Sequence, residues 1–238
     1  MSTNSFTFKQ FTVFHHRCAM KVGTDGVLLG AWADVEGAQH ILDIGTGSGL
    51  IALMLAQRSE ALICAIDIDA DAVAQARENF TNSTWSHRMI AEEISLQHFA
   101  SKSSNQYDLI VSNPPYFANS LKSPDVRRSA ARHNNELTHQ ELLKNAKSLL
   151  NETGRICLIL PVIEGLQCVD FAQRIQLFCN KLVYVHPKPN SAPKRLLLEF
   201  SFMQTERIIS TLEIETNERH HLSTVFKQLV KNYYLKLK

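Results

Sequence analysis

The 238-residue sequence predicts an α/β fold: a mostly parallel sheet, covered by helices and ending in one antiparallel hairpin. Three observations carry this. From about residue 40 onward, short apolar runs alternate with longer amphipathic ones, the pattern of strands joined by crossover helices. The first apolar run passes straight into a glycine-rich turn. The last two are joined by Pro187–Pro193, which holds three prolines and is too short for a crossover helix, so they pair antiparallel.

Taken in order, residues 1–39 form an N-terminal extension. Phe6–Phe14 alternates enough to be a strand or hairpin, and Thr24–Ala33 is a short helix with Thr24 or Asp25 as N-cap. Residues 40–204 form the core. Its seven strand candidates are His40–Ile44, Ala61–Asp67, His87–Ala91, Tyr107–Val111, Arg155–Leu160, Leu182–His186 and Arg195–Phe202. Helical patterns cover Leu50–Gln57, Ala70–Asn79, Thr138–Leu150 and Ile163–Phe178. Residues 205–238 read as an appendage, with a further strand at Thr211–Glu215 and an amphipathic helix at Leu222–Leu235. Both ends belong to a single domain spanning 1–238.

Composition narrows the class. Hydrophobic residues at 45% and charged residues at 20% suit a globular protein with a sizeable core. No apolar stretch is long enough to span a bilayer, and Met1–Ser5 has no features of a signal peptide. The five cysteines are scattered without a CxxC pair, and Cys64, Cys157 and Cys168 sit among apolar neighbours. They read as core residues, not as disulfides or metal ligands. A cytoplasmic, metal-free monomer is expected. A net charge of +2 leaves nucleic-acid binding to local patches. Arg127, Arg128, Arg132 and His133 form one patch; Lys181, His186, Lys188, Lys194 and Arg195 form another. Taken singly, each reads as a solvated face.

Ile41-Leu42-Asp43-Ile44-Gly45-Thr46-Gly47-Ser48-Gly49-Leu50 is a buried strand, a G-x-G-x-G turn and a helix start. Glycines there allow positive φ and close approach to a ligand. The spacing departs from the dinucleotide fingerprint, and Asp43 would repel a pyrophosphate. A cationic ligand with an amino-acid end, such as S-adenosylmethionine, suits that charge. Asp67 ends the next strand about twenty residues on, where a carboxylate accepts ribose hydroxyls, while Asp69 caps the helix starting at Ala70. Glu92 and Glu93 end the third strand, and either is a candidate for the cofactor's adenine amine.

The fourth strand runs Asp108-Leu109-Ile110-Val111-Ser112 into Asn113-Pro114-Pro115-Tyr116. That places the tetrapeptide at the carboxyl edge of the sheet, where open α/β folds bind ligands. Two prolines stiffen the turn and remove two N–H donors. The Pro114 carbonyl and the Asn113 side-chain carbonyl are then two fixed acceptors for the hydrogens of one planar NH2 group. Held so, the nitrogen lone pair faces an electrophilic methyl, and Tyr116 offers a flat face to a base.

With these motifs the chain resembles the class I methyltransferases that act on planar nitrogens. Phe8-Lys9-Gln10-Phe11, Met20-Lys21-Val22-Gly23-Thr24-Asp25-Gly26-Val27-Leu28-Leu29-Gly30-Ala31-Trp32 and Arg127-Arg128-Ser129-Ala130-Ala131-Arg132-His133 are similar to segments of the bacterial tRNA-1(Val) adenine-37 N6-methyltransferases. The resemblance covers nearly the whole chain and is weaker after residue 204. It implies a Rossmann-like sheet of order 3-2-1-4-5-7-6 with the last pair antiparallel. It also implies S-adenosylmethionine bound by Asp43, Gly45, Thr46, Gly47, Gly49, Asp67, Ile68 and Asn113, with Glu92 and Glu93 near the adenine. Lys21, Gly23 and Thr24, in the segment ahead of the glycine strand, become candidates for closing over the methionine end. The implied reaction is N6-methylation of adenine 37 in a tRNA anticodon loop, catalysed by Asn113, Pro114, Pro115 and Tyr116. Arg127, Arg128, Arg132, Lys188, Lys194 and Arg195 would reach RNA phosphates.

Residue chemistry alone supports only a planar amine on a nucleobase or amide. Protein glutamine N5-methylation, and methylation of amino groups in rRNA or DNA, use the same tetrapeptide. A glutamine methyltransferase usually carries a separate helical domain, and a DNA enzyme a target-recognition domain; the sequence has room for neither. A catalytically idle cofactor-binding partner is disfavoured by the intact tetrapeptide.

Overall fold

A computed structural model describes residues 4–114, 137–218 and 221–237. In chain order the core elements are β3 (His40–Ile44), α2 (Leu50–Ala56), β4 (Leu62–Asp67), α3 (Ala70–Thr81), β5 (Met89–Glu93), α4 (Leu96–Lys102) and β6 (Tyr107–Ser112). They continue with α5 (His139–Ser148), β7 (Leu150–Pro161), α6 (Val162–Arg174), β8 (Phe178–His186), β9 (Arg195–Ser201), β10 (Ile208–Glu213) and α7 (Thr224–Val230). Ahead of them stand the hairpin β1 (Ser5–Thr7) and β2 (Thr12–Phe14), then α1 (Thr24–Trp32).

The eight-stranded sheet has the order β5-β4-β3-β6-β7-β9-β8-β10. Its first seven strands reproduce the expected order, and β9 runs antiparallel to both neighbours. The strand after residue 204 is longer and earlier than expected and pairs in parallel with β8 along its whole length, Ile208–Glu213 against Lys181–His186. It therefore extends the main sheet. The sheet separates two buried clusters. α1, α2, α3 and α7 pack on one face through residues such as Leu28, Leu53, Phe80 and Phe226. α4, α5 and α6 cover the other through Leu96, Leu143 and Val169. Near-continuous burial of β3 and β6 explains why those strands read as unbroken apolar runs.

Several boundaries differ from the sequence expectation. The N-cap of α1 is Gly23, which has no side chain to cap with, and Asp25, inside the first turn, pairs with Arg195. His87 lies in a 3-10 turn, so β5 begins two residues later and includes Glu92 and Glu93. α4 is a short helix that the apolar spacing did not announce; Ser95 caps it by accepting the His98 N–H. α5 is fixed by a capping box of Thr138 and Glu141 and stops at Ser148, so Leu150 begins β7 five residues before the expected start. β7 meets β6 across a bulge between the Tyr107 and Leu109 pairings, which hides its first turn from a period-two reading. α6 ends at Arg174 and Phe178 opens β8, while the C-terminal helix is reduced to Thr224–Val230.

Candidate active site

The ends of β3, β4, β5 and β6 converge on a cavity of about 430 Å3, lined by the glycine turn, Asp67, Ile68, Ile94–Gln97, Ser112, Asn113 and Pro114, with Cys18–Met20 from the N-terminal extension. The lining is mostly apolar. The walls are strapped together by main-chain bonds. The Gly45 and Thr46 N–H groups donate to the Ile66 carbonyl at 2.8 and 3.1 Å, the Ile94 N–H donates to the Asp67 carbonyl at 2.9 Å, and the Ser112 hydroxyl donates to the Ile44 carbonyl at 2.8 Å.

The three glycines of the turn divide between two tasks. Gly45, Gly47 and Gly49 all have positive φ, at 70°, 54° and 79°. A Cβ on Gly45 or Gly47 would meet nothing within 4 Å, so it would project into open space, and both glycines line the cavity. A Cβ on Gly49 would stand 2.5 Å from Phe80 Cε1. Gly49 is therefore the N-cap of α2 and a packing contact with α3, set back from the cavity.

Asp67 holds the turn as well as facing the cavity. One carboxylate oxygen accepts the Gly47 N–H at 2.8 Å and the other the Asp69 N–H at 3.0 Å. An ionised carboxylate has about four acceptor positions, so two remain for hydroxyls. Asp69 caps α3 as expected, accepting from Asp71 and Ala72. Asp43 and Thr46 lie beneath the turn: the Thr46 hydroxyl donates to Asp43 Oδ2 at 2.6 Å. Burial pushes the Asp43 carboxyl up to about 7, against the pull of Thr46 and the Ala52 N–H, with Asp67 adding to the rise.

Other sequence candidates fall in different places. Glu92 and Glu93 do not line the cavity; the four residues that follow them do. Lys21 is exposed, Gly23 caps α1, and Thr24 lines a second cavity, while the preceding Cys18–Met20 forms the wall. The sequence offered no chemical signal for Cys18 or Ala19. Burial, with Asp67, Asp69 and Asp71 nearby, raises the Cys18 thiol to about 11, so it stays neutral. Pro115, Tyr116, Arg127, Arg128, Arg132 and His133 lie outside the described residues.

The second cavity, of about 510 Å3, lies between the α1 N-terminus and the β8–β9 hairpin, with Lys188, Lys194 and Arg195 in its wall. Arg195 pairs with Pro161 in register, so the hairpin turn sits at the same sheet edge as Asn113, two strands or roughly 10 Å from β6. Lys188 and Lys194 are exposed, whereas the Arg195 guanidinium donates to Asp25 at 2.8 Å. Among the described residues no helix is long and apolar enough to cross a membrane, and no cluster of His, Cys, Asp or Glu could hold a metal ion. All five cysteines are free thiols, with Cys64, Cys157, Cys168 and Cys179 buried.

The fold is shared with a predicted O-methyltransferase from Agrobacterium tumefaciens, at a TM-score of 0.69 and 16% identity, covering 90% of this chain and 99% of that one. A putative RNA methyltransferase from Pyrococcus horikoshii aligns at a TM-score of 0.54 and 14% identity, over 76% of this chain and 82% of that one. Residues 12–167 match the model of the methyltransferase small domain. The tRNA1(Val) (adenine(37)-N6)-methyltransferase of Parabacteroides distasonis is 48% identical, with all of both chains covered. The enzyme of the same name from Trichodesmium erythraeum is 46% identical over 99% of this chain and all of its own. The chain belongs to the methyltransferase small-domain family, in the group of the tRNA1(Val) (adenine(37)-N6)-methyltransferases.

Proposed function

We propose that this protein transfers a methyl group from S-adenosylmethionine to N6 of adenine 37 in tRNA1(Val). The observation that carries the reading is one cavity that brings Gly45, Gly47 and Asp67 together with Asn113 and Pro114. The residues fit the cofactor. Gly45 and Gly47 leave room at the turn, Asp67 keeps acceptor positions for hydroxyls, and Ile68, Ile94 and Leu96 give an apolar slot for a flat base. S-adenosylmethionine, when bound, supplies an electrophilic methyl on a cationic sulfur. The buried acid Asp43 lies below the turn and biases the local potential toward that cation.

The chain's own part is orientation. Asn113 and Pro114 sit at the carboxyl edge of β6, and the Ser112–Ile44 bond fixes that edge to the strand that carries the glycine turn. Their two carbonyls accept the hydrogens of one exocyclic amine, which aims its lone pair at the methyl. Tyr116 stacks on the base. The amine proton becomes acidic only as the methyl arrives, so no strong base is needed. An anticodon-loop adenine is already single-stranded, which lowers the cost of drawing it out. Lys188 and Lys194, together with Arg127, Arg128 and Arg132, contact flanking phosphates, and Arg195 anchors the hairpin that carries the lysines. The protein acts as a cytoplasmic monomer without a metal, with residues 1–39 closing the cofactor site, 40–204 as catalytic core and 205–238 completing the sheet edge.

The test is methyl transfer from labelled S-adenosylmethionine to RNA from a strain lacking this protein, followed by nucleoside analysis. Label is expected in N6-methyladenosine of the tRNA fraction, and Asn113→Ala is expected to lower kcat by roughly 10²–10³-fold. Label in protein glutamine, or in an rRNA or DNA amine, would replace the substrate while keeping the catalytic reading.

A further inference from the structure

Asn79 is 1% exposed and lies on α3, outside the cavity lining. Its carboxamide makes three bonds. The NH2 group donates to the Phe14 carbonyl and to the Ser48 carbonyl, both at 2.8 Å, while Oδ1 accepts the Phe14 N–H at 2.9 Å. Phe14 ends β2 in the N-terminal extension, and Ser48 lies in the glycine turn between Gly47 and Gly49. One side chain therefore ties two segments that are 34 positions apart in sequence, taking 14 from 48.

Both segments continue into the cavity. One turn earlier on the same helix face, the buried Gln75 accepts the Arg17 N–H at 3.3 Å, so residues 14–17 are fixed at two points. The next three residues, Cys18, Ala19 and Met20, are cavity wall, and on the other side Gly47, next to Ser48, is cavity wall as well. A carboxamide of this length satisfies a backbone N–H and two carbonyls at once, whereas aspartate cannot donate and alanine removes all three bonds, one of them to the buried Ser48 carbonyl.

We propose that Asn79 is a positioning residue for cofactor binding: it sets the distance between the N-terminal wall and the glycine turn by bonding both. The inference rests on the reading of the cavity as an S-adenosylmethionine site, and it assigns Asn79 no contact with the cofactor. Asn79→Asp keeps an acceptor for the Phe14 N–H but loses both donated bonds and turns a carboxylate toward two carbonyl oxygens. The wall and the turn then separate.

The experiment is calorimetric titration of S-adenosylmethionine into the wild type, Asn79→Asp, Gln75→Ala and Leu143→Ala. Leu143 is fully buried on the opposite face of the sheet and controls for loss of stability alone. Asn79→Asp should raise the Kd roughly tenfold or more, and Gln75→Ala should raise it less. Leu143→Ala should lose comparable thermal stability with an unchanged Kd. Tryptic cleavage after Arg17 should accelerate in Asn79→Asp and stay unchanged in Leu143→Ala. In turnover, KM for the cofactor should rise while kcat and KM for tRNA hold. A wild-type Kd in folded Asn79→Asp overturns the inference, as does an equal rise in Leu143→Ala. If Asn79→Asp does not fold, an unchanged Kd in Gln75→Ala overturns it. Absence of binding by the wild type would instead refute the reading of the cavity, and this inference with it.

Discussion

Arg195 Nε donates to Asp25 Oδ2 at 2.8 Å, joining the first turn of α1 to the start of β9 across 170 positions. The two side chains are 28% and 25% exposed, so water screens the pair only partly. It holds the Lys188–Lys194 turn against the N-terminal extension at the sheet edge that carries Asn113. A double-mutant cycle with Asp25→Ala and Arg195→Ala, read by urea unfolding, should give a coupling of about 1 kcal/mol, falling in high salt. Zero coupling would leave the junction to apolar packing by Leu28 and Val185.

Asp108 performs a structural task at the other edge of the sheet. Its Oδ2 accepts the N–H groups of Gln39 and His40, each at 2.9 Å, and Oδ1 accepts from the Asn151 amide. Burial pushes its pKa up, but the His40 and Gln39 N–H bonds and the Asn151 amide together outweigh that, and the carboxyl lies below its ordinary value. A depressed carboxyl stabilises the fold above its unfolded pKa, and that stability is lost as pH falls through the folded value. Asp108→Asn should therefore cost about 1–3 kcal/mol at neutral pH and progressively less in acid. It should leave the cofactor Kd unchanged. A pH-independent difference between variant and wild type would contradict this.

What the sequence made legible follows from how locally each feature is encoded. The core strands, the antiparallel hairpin and the glycine turn were readable, because period, length and proline content act over a few residues, whereas the order of the first seven strands came with the family resemblance. Asp69 caps α3 as expected, since capping is a local bond. The cavity wall at Cys18–Met20 was not readable. The chain just ahead of it is bonded by Asn79 at Phe14, a contact 65 positions apart that no periodicity records. Glu92 and Glu93 drew notice for their charge, yet the residues that line the cavity there are Ile94–Gln97, placed by where β5 ends. Gly49 looked equivalent to Gly45 and Gly47 because spacing does not reveal Phe80 behind it.

Asp43 gives the fold a pH signature. Its carboxyl stands at about 7 against an ordinary 3.8, chiefly through burial. The folded protein keeps this proton longer than the unfolded chain, so its contribution to stability is full below about pH 4 and is lost as pH rises through 7. Asp43→Asn removes that loss. The stability of the variant relative to wild type should climb between pH 4 and 7, by at most about 1.4 kcal/mol per unit, and level off above. Parallel pH profiles in chemical denaturation would place the raised carboxyl elsewhere.

Gly47 and Gly49 separate ligand binding from folding. Both have positive φ, so alanine strains the backbone at either, by about 1 kcal/mol. Beyond that the outcomes diverge. At Gly47 the new methyl enters open space beside the Asp67 carboxylate, so Gly47→Ala should fold with a small loss of Tm and bind S-adenosylmethionine at least roughly tenfold more weakly. At Gly49 the methyl would overlap the Phe80 ring at 2.5 Å, pushing α3 away from α2. Gly49→Ala should lose about 1–3 kcal/mol more than Gly47→Ala. Trimming the ring tests the cause, because Gly49→Ala in a Phe80→Leu background should cost less than in the wild type. Equal stability losses for the two alanine variants would mean that α3 yields freely at Phe80. Unaltered cofactor binding by Gly47→Ala would mean that the ligand does not approach the turn.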